Sequence, residues 1–587
     1  MRRSSCQFQV FCLIVLLSSP QLLSQDLPAE LLRLRDQVRI VAEQAQRNPR
    51  DLNLFLLLGD LQEKTGDLKG ARLSLTAALV RDSASVPALT ALGQVCRRMY
   101  DFPSALRSLE RAVALAPHDS AVRVLAAELS LDRIDFPGAS ALYGTMLWLN
   151  PADPVALHGL ASVAYWENKY HEAERLLRQC LMVDSAFSKA WLLKSLLHRI
   201  RQENDDWAAC GRRAVACDSL DDEARAHLFN ILIRGEQKPV EGYAHARIAL
   251  TLNPFNFTTH NYIGNGWNAR VYPSRPLSLS KARSEKLVAT LRTADNALAL
   301  RNLAVAGSAY DRALNLSPHH IPALIGKGTT LYYQRRYDEA LAHFFKALDI
   351  DPDYGLAHYG VAMTLLRKRD AVNVLLAALK QQQPADVSEP PALRDVFTNY
   401  AALDSGLQRN IRLSVSPLQA YLPILRKEQV VFLIFPFHHF LWQVPFNKSL
   451  KGKRTFDGRL WDDVKGSGGK SACASEEWQR DAINFRFNVL THEFAHQVHS
   501  FLPNNLRSEI TRLYNEAKKT SRTLDFYSDA NENEYFAVGV EAYVSEYKLA
   551  DQKITYGHTR RELLETDPDL YRFIADLNKL APMEKPQ

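Results

Sequence analysis

Residues 86–119 read VPALTALGQVCRRMYDFPSALRSLERAVALAPHD, and this 34-residue stretch decides how most of the chain is read. Starting the same frame at Leu52, Val86, Ser120, Pro154 and Ser188 puts Gly59, Gly93, Ala127, Ala161 and Ser195 at the eighth position. Small residues recurring there mark a place where two helices approach closely. The twentieth position repeats as strictly, with Ala71, Ala105, Ala139 and Ala173, and large apolar residues follow four later at Leu75, Leu109, Tyr143 and Leu177. Pro117 and Pro151 close repeats where a helix must stop, because proline cannot donate to the helical ladder. A fixed period of this length is the signature of a stacked array of helical hairpins.

Outward from these repeats the frame loosens after Ser188 and resumes near Ala306, Tyr310, Ala313 and Pro318. It continues through Gly328, Ala340, Phe344, Ala347 and Pro352, with a further helical pair expected near Gly355. Between the blocks, residues 253–279 mix Pro254, Gly264, Gly266, Pro273 and Pro276 with aromatics and read as an irregular insertion. The pattern resembles the tetratricopeptide-repeat family. That resemblance implies a right-handed superhelix holding a protein or peptide partner in its concave groove, a scaffold rather than a chemistry.

The whole chain has 587 residues, 47% apolar and 23% charged, which is ordinary globular composition and far from disordered or fibrous classes. A net charge of +7 is too dilute over this length to mark a nucleic-acid or membrane surface, so neither partner is expected. Arg2 and Arg3, an apolar run over residues 10–17 and small residues before Ser24 have the layout of a signal peptide, with cleavage expected after Ser24. The run is too short to span a bilayer, so the mature protein is expected to be exported, periplasmic or extracellular, without a stable membrane span. Cys96, Cys180, Cys210, Cys217 and Cys473 are too sparse for a disulfide scaffold. The first four read as buried helical thiols and Cys473 as part of a polar loop.

From residue 381 the period stops amid Pro384, Pro390 and Pro391, a domain boundary. Residues 430–435 (VVFLIF) form the best strand in the sequence. The stretch 456–470, FDGRLWDDVKGSGGK, reads as a Gly-rich loop without the spacing of a phosphate loop. Then comes Thr491-His492-Glu493-Phe494-Ala495-His496, an H-E-x-x-H in a helical pattern. Residues four apart share a helix face, so His492 and His496 can present ring nitrogens to one ion, with Glu493 beside it; zinc suits that donor set. A third protein ligand should follow on another element. Glu534 is well placed, and Glu532, Glu541 and Glu546 compete on spacing alone.

HEFAHQVH, Tyr527 and NENEYFA (531–537) together look like the catalytic domain of the anthrax lethal factor and Pro-Pro endopeptidase group of gluzincin metallopeptidases. The resemblance implies one zinc ion held by His492, His496 and Glu534, Glu493 as general base, and Tyr527 as the donor to the oxyanion. It departs from the group at Val538, where lethal factor carries an acidic partner for a ligand histidine; Glu541, one turn on, is the candidate substitute. His499, His438 and His439 are expected to pack rather than ligate. By the same resemblance the strand at 430–435 would pair with an extended peptide substrate.

The expected fold class is mainly α, a tetratricopeptide-repeat α-solenoid followed by an α+β zincin-like (gluzincin) metallopeptidase domain. Its parts are a signal peptide (1–24), a first repeat block (27–252), an irregular insertion (253–285), a second block (286–380), a linker (381–415) and the metallopeptidase-like domain (416–587). The expected function is hydrolysis of peptide bonds, as an endopeptidase, with the repeats binding protein. The alternative is an interaction scaffold whose peptidase-like domain is silent.

Overall fold

The computed structural model describes residues 27–201, 203–267, 279–381, 387–455, 458–479, 487–525, 527–545 and 558–580. The expected signal peptide lies outside them. Among the described residues no helix is long and apolar enough to cross a membrane.

The first helices of the repeats run Leu52–Lys64, Val86–Arg98, Ser120–Asp132, Pro154–Trp166 and Ser188–Ile200, starting where the 34-residue frame predicts. Each is followed by a second helix: Leu68–Arg81, Phe102–Leu115, Phe136–Leu149, Tyr170–Val183 and Asn204–Cys217. Asp51, Ser85, Asp119 and Asp153 cap the first helices by accepting backbone N–H groups that have no partner in the opening turn. Small residues permit the close approach: a Cβ on Gly59 would lie 2.7 Å from Leu75 Cγ. The turn between the two helices is left-handed at Gly66, Tyr100, Ile134 and Asn168, and again at Arg301 and Arg335, each 34 residues apart within its block. The sequence conceals this repeat because only one of the six is glycine. The chain is thus mainly α, a tetratricopeptide-type solenoid.

After Ser188 the frame continues with Asp222–Asn230, which begins 34 residues later and is then distorted by a π-turn at Ile231–Gly235. One expectation about the blocks is corrected. The segment 253–285 is not wholly irregular, since Phe257–Gly264 is a buried helix packed on Gly355–Asp370, while 268–278 lie outside the described residues. Pro254 ahead of the helix reads as a breaker in sequence, yet it sits where repeats normally turn. At the centre of this helix pair the Nδ1 atoms of His260 and His358 are 2.8 Å apart, and each ring meets the carbonyl of a proline six residues earlier through Nε2. A Cβ on Gly264 would stand 2.6 Å from the backbone nitrogen of Tyr359, an atom that cannot swing aside. Gly264→Ala is therefore expected to destabilise the chain by about 1–3 kcal/mol, read as a lower urea midpoint; an unchanged midpoint would mean the helices are not in backbone contact.

The solenoid closes on itself. Arg98 donates to Asp222 and to the carbonyl of Leu252, Val374 N–H donates to Arg133 O at 2.8 Å, and Val372 and Leu375 pack on first-block clusters. Part of the first block's surface is thus covered by the chain's own second block.

The carboxy-terminal unit contains a three-stranded sheet of β1 (Val431–Phe435), β2 (Gly466–Ser467) and β3 (Ser471–Ser475), in the order β1-β3-β2. β1 runs parallel to β3 and β2 antiparallel to it, so that Cys473 sits opposite Leu433 on one side and Ser467 on the other. Cys473 is accordingly a fully buried strand residue, not part of a polar loop. The five cysteines among the described residues are free thiols. The presumed linker is also core from Leu393 onward: Leu393, Val396, Phe397, Tyr400, Ile411 and Val415 pack with Phe432 and Phe494. Pro390 and Pro391 lie beside it in sequence, and its helices, Leu393–Val396 and Ser405–Val415, are too short to carry a strong periodic signal.

One pairing expected for residues 430–435 does not hold. The outer edge of β1 is covered, because Phe397 bridges Phe432, Thr398 N–H donates to Phe432 O, and the Asn399 side chain bonds both Ile434 N–H and O. With β3 on its other side, β1 has no edge left for a peptide.

The two parts of the chain are joined through buried charge. Glu476 and Glu477 follow β3; Glu476 meets Arg301 and Tyr333, and Glu477 meets Tyr332 and Arg367, all four from the second repeat block.

Candidate metal centre

The helix Val489–Phe501 presents the two histidines, and Glu532–Val544 presents the acid. The first helix starts on Asn488, whose side chain caps Thr491 N–H at 3.1 Å, and it ends at Leu502 because Pro503 follows. Leu490, Phe494 and Val498 bury one face in the domain core, which turns the opposite face toward the cluster. The second helix is capped by Asn531, which accepts from Asn533 and Glu534 N–H, so Glu534 lies in the first turn where a carboxylate is favoured by the helix dipole.

There the three donor atoms converge. His492 Nε2 lies 3.1 Å from His496 Nε2 and 3.1 Å from Glu534 Oε2, and His496 Nε2 lies 3.5 Å from that oxygen. Ligands at zinc distances in a tetrahedron are about 3.3 Å apart, so the triangle fits such an ion without rearrangement. Burial works to raise the pKa of Glu534, but the hydrogen bonds and charge of the two imidazoles overcome it and hold the carboxyl at about 2. Burial likewise works to lower His492, and the hydrogen bond to Glu534 together with the charges of Glu493, Glu534 and Glu541 outweighs it, leaving the ring above its usual value.

Glu493 points elsewhere. A Cβ on Gly466 would lie 3.0 Å from Glu493 Oε1, and one on Gly468 would lie 2.9 Å from Oε2, so its carboxylate rests against the glycine turn. Burial pushes its pKa up, outweighing the nearby imidazoles of His496 and His492. Tyr527 is brought beside the site, its ring 6.2 Å from that of His492.

The geometry separates Glu534 from its competitors. Glu532 accepts from Thr511 Oγ1, while Glu541, fully buried, accepts from Asn488 N–H at 2.9 Å; Glu546 lies outside the described residues. Glu541 therefore anchors the start of the histidine helix rather than bonding a ligand, and His492 Nδ1 has no hydrogen-bond partner among the described residues. His499 packs against Phe536, and His438 meets His439 edge to face after β1; none joins the cluster. Sequence reading overlooked Gln497 and Asn488, and it took the glycines of 466–469 for turn residues without seeing that they face Glu493.

A second cluster, His198 with Glu203 and Asp206, is largely exposed. In the solenoid a cleft of about 710 Å³ is lined by apolar side chains, among them Leu147, Leu157 and Leu176, and by charged ones, among them Lys169, Glu172 and Arg175.

The tetratricopeptide repeat family profile matches residues 321–354. No curated protein matches the chain. Solved structures that resemble it include a thermophilic TPR protein of Thermus thermophilus, 19% identical over 30% of this chain and 96% of that one, with a TM-score of 0.27. A tetratricopeptide repeat protein from Parabacteroides merdae is 17% identical over 54% of this chain and 98% of its own, with a TM-score of 0.25. Pseudomonas aeruginosa pilF is 14% identical over 37% and 98%, also with a TM-score of 0.25.

Proposed function

We propose that the chain is an exported zinc metallopeptidase of the gluzincin kind, acting as an endopeptidase, with the repeat solenoid as its scaffold for protein binding. The observation that carries this reading is the triangle of His492, His496 and Glu534 donor atoms with sides of 3.1–3.5 Å, next to a separately held Glu493. A zinc ion would supply Lewis acidity there, activating water near neutral pH and polarising a peptide carbonyl. His492, His496 and Glu534 hold it with lone pairs. Glu493 accepts the proton of the attacking water at its carboxylate and returns it to the departing amine, and the Tyr527 O–H donates to the developing oxyanion. The solenoid cleft, lined by both apolar and charged side chains, suits a protein partner, and the dilute net charge gives no reason to expect nucleic acid.

Elemental analysis of the purified chain tests the reading. One equivalent of zinc is expected, lost in Glu534→Ala and kept in Glu541→Gln, which preserves the acceptor for Asn488 N–H. A metal-free parent, even after incubation with zinc, would sink it. One observation favours a silent scaffold instead: a zinc-binding histidine ordinarily donates through its second nitrogen, and His492 Nδ1 has no such partner among the described residues. A zinc-loaded chain that does not cleave protein would select that alternative.

A further inference from the structure

Gln497 lies on the histidine helix directly after His496 and one turn after Glu493, and it is fully buried. Its Nε2 donates to Val431 O at 2.8 Å, Gly469 O at 3.1 Å and Lys470 O at 3.3 Å. Three carbonyl oxygens around one end of an amide can be met only by its NH₂, so the orientation of the side chain is decided by its surroundings. Val431 opens β1, and Gly469 and Lys470 make the turn from β2 into β3. One side chain thus ties both parts of the sheet to the middle of the helix. Backbone pairing holds the two ends of the turn, through Gly466 and Ser467 on β3 and Val431 N–H on Lys470 O at 3.0 Å, but at its tip Gly469 has φ +107° and open space where a Cβ would be, and Gln497 is the side chain that reaches its carbonyl. The near side of the turn is the wall on which the Glu493 carboxylate rests.

We propose that Gln497 is a positioning residue, clipping the 466–469 turn to the histidine helix so that the wall at Gly466 and Gly468 keeps the Glu493 oxygens beside the metal-ligand face. Its catalytic consequence rests on the metallopeptidase reading; the clip itself does not. Gln497→Met keeps the side-chain length and removes the donor. In the full chain, amide hydrogen exchange over residues 466–471 should accelerate about tenfold, while exchange over 490–494 stays as in the parent. On fluorescein-labelled casein kcat should fall about 10²-fold, with KM and zinc content unchanged, because the displaced group is the base and not a ligand. Exchange unchanged at 466–471, or a loosened turn with unaltered kcat, overturns the proposal. Should Gln497→Met fail to fold, Gln497→Asn decides by the same readouts, since its shorter amide cannot reach both Val431 and Gly469. A parent chain without zinc or cleavage would overturn the metallopeptidase reading, and the exchange arm would still decide the clip.

Discussion

Glu493→Gln is expected to lower turnover of fluorescein-labelled casein by about 10²–10⁴-fold, the usual worth of a positioned general base, while zinc content stays at one per chain. The two halves of that result come from different contacts. The donor triangle belongs to His492, His496 and Glu534, so an amide at position 493 removes nothing from it. The Glu493 oxygens lie against Gly466 and Gly468, where a glutamine of the same size fits, so the fold has no reason to change. An amide cannot accept the proton of an attacking water, and that alone is lost. Zinc content and casein turnover measured on one preparation decide the matter. Loss of zinc would put Glu493 in the ligand set, and undiminished turnover would remove it from the chemistry.

The second large effect lies far from the histidines. Arg367→Ala is expected to destabilise the chain by about 3–5 kcal/mol, because it leaves a buried carboxylate uncompensated. The Glu477 side chain is 0% exposed, and Arg367 Nη2 donates to its carboxylate at 2.8 Å and to its backbone carbonyl at 3.1 Å, while Arg367 Nε donates to Tyr332 OH at 2.8 Å. Arg367 belongs to the repeat helix Gly355–Asp370, and Glu477 to the turn after β3, so the loss should appear as an early transition of the carboxy-terminal unit in thermal denaturation followed by tryptophan fluorescence. A double variant, Arg367→Met with Glu477→Leu, should recover much of the difference, since two apolar side chains require no partner. Equal damage from the single and double variants would show that the pair's packing, not its charge, holds the junction.

The repeat architecture was legible because every contact that defines a helical hairpin falls within 34 residues, and each leaves a residue type behind: a glycine or alanine at the close approach, an aspartate at the cap. His492 and His496 were legible for the same reason, since four residues on a helix set their spacing whatever surrounds them. The third candidate ligand was of another kind. Glu532, Glu534 and Glu541 occupy one helix, and only its packing against Val489–Phe501 decides that Glu534 faces the histidines, Glu541 the helix start and Glu532 the Thr511 hydroxyl. Gln497 had no signature at all, because its partners are backbone carbonyls, which every residue carries.

Sequence by itself determined the helical repeats, their phase, the strand at β1 and the paired histidines, all consequences of local periodicity and local stereochemistry. Tertiary structure alone decided that β1 has a covered edge, that Leu393 onward is core and not linker, that the solenoid folds back on itself, and that Glu476 and Glu477 are gripped by the repeats. Each of those depends on contacts between residues tens to hundreds of positions apart. Such contacts follow from how whole faces pack, and burial there can be met by many residue types, so no short pattern records them.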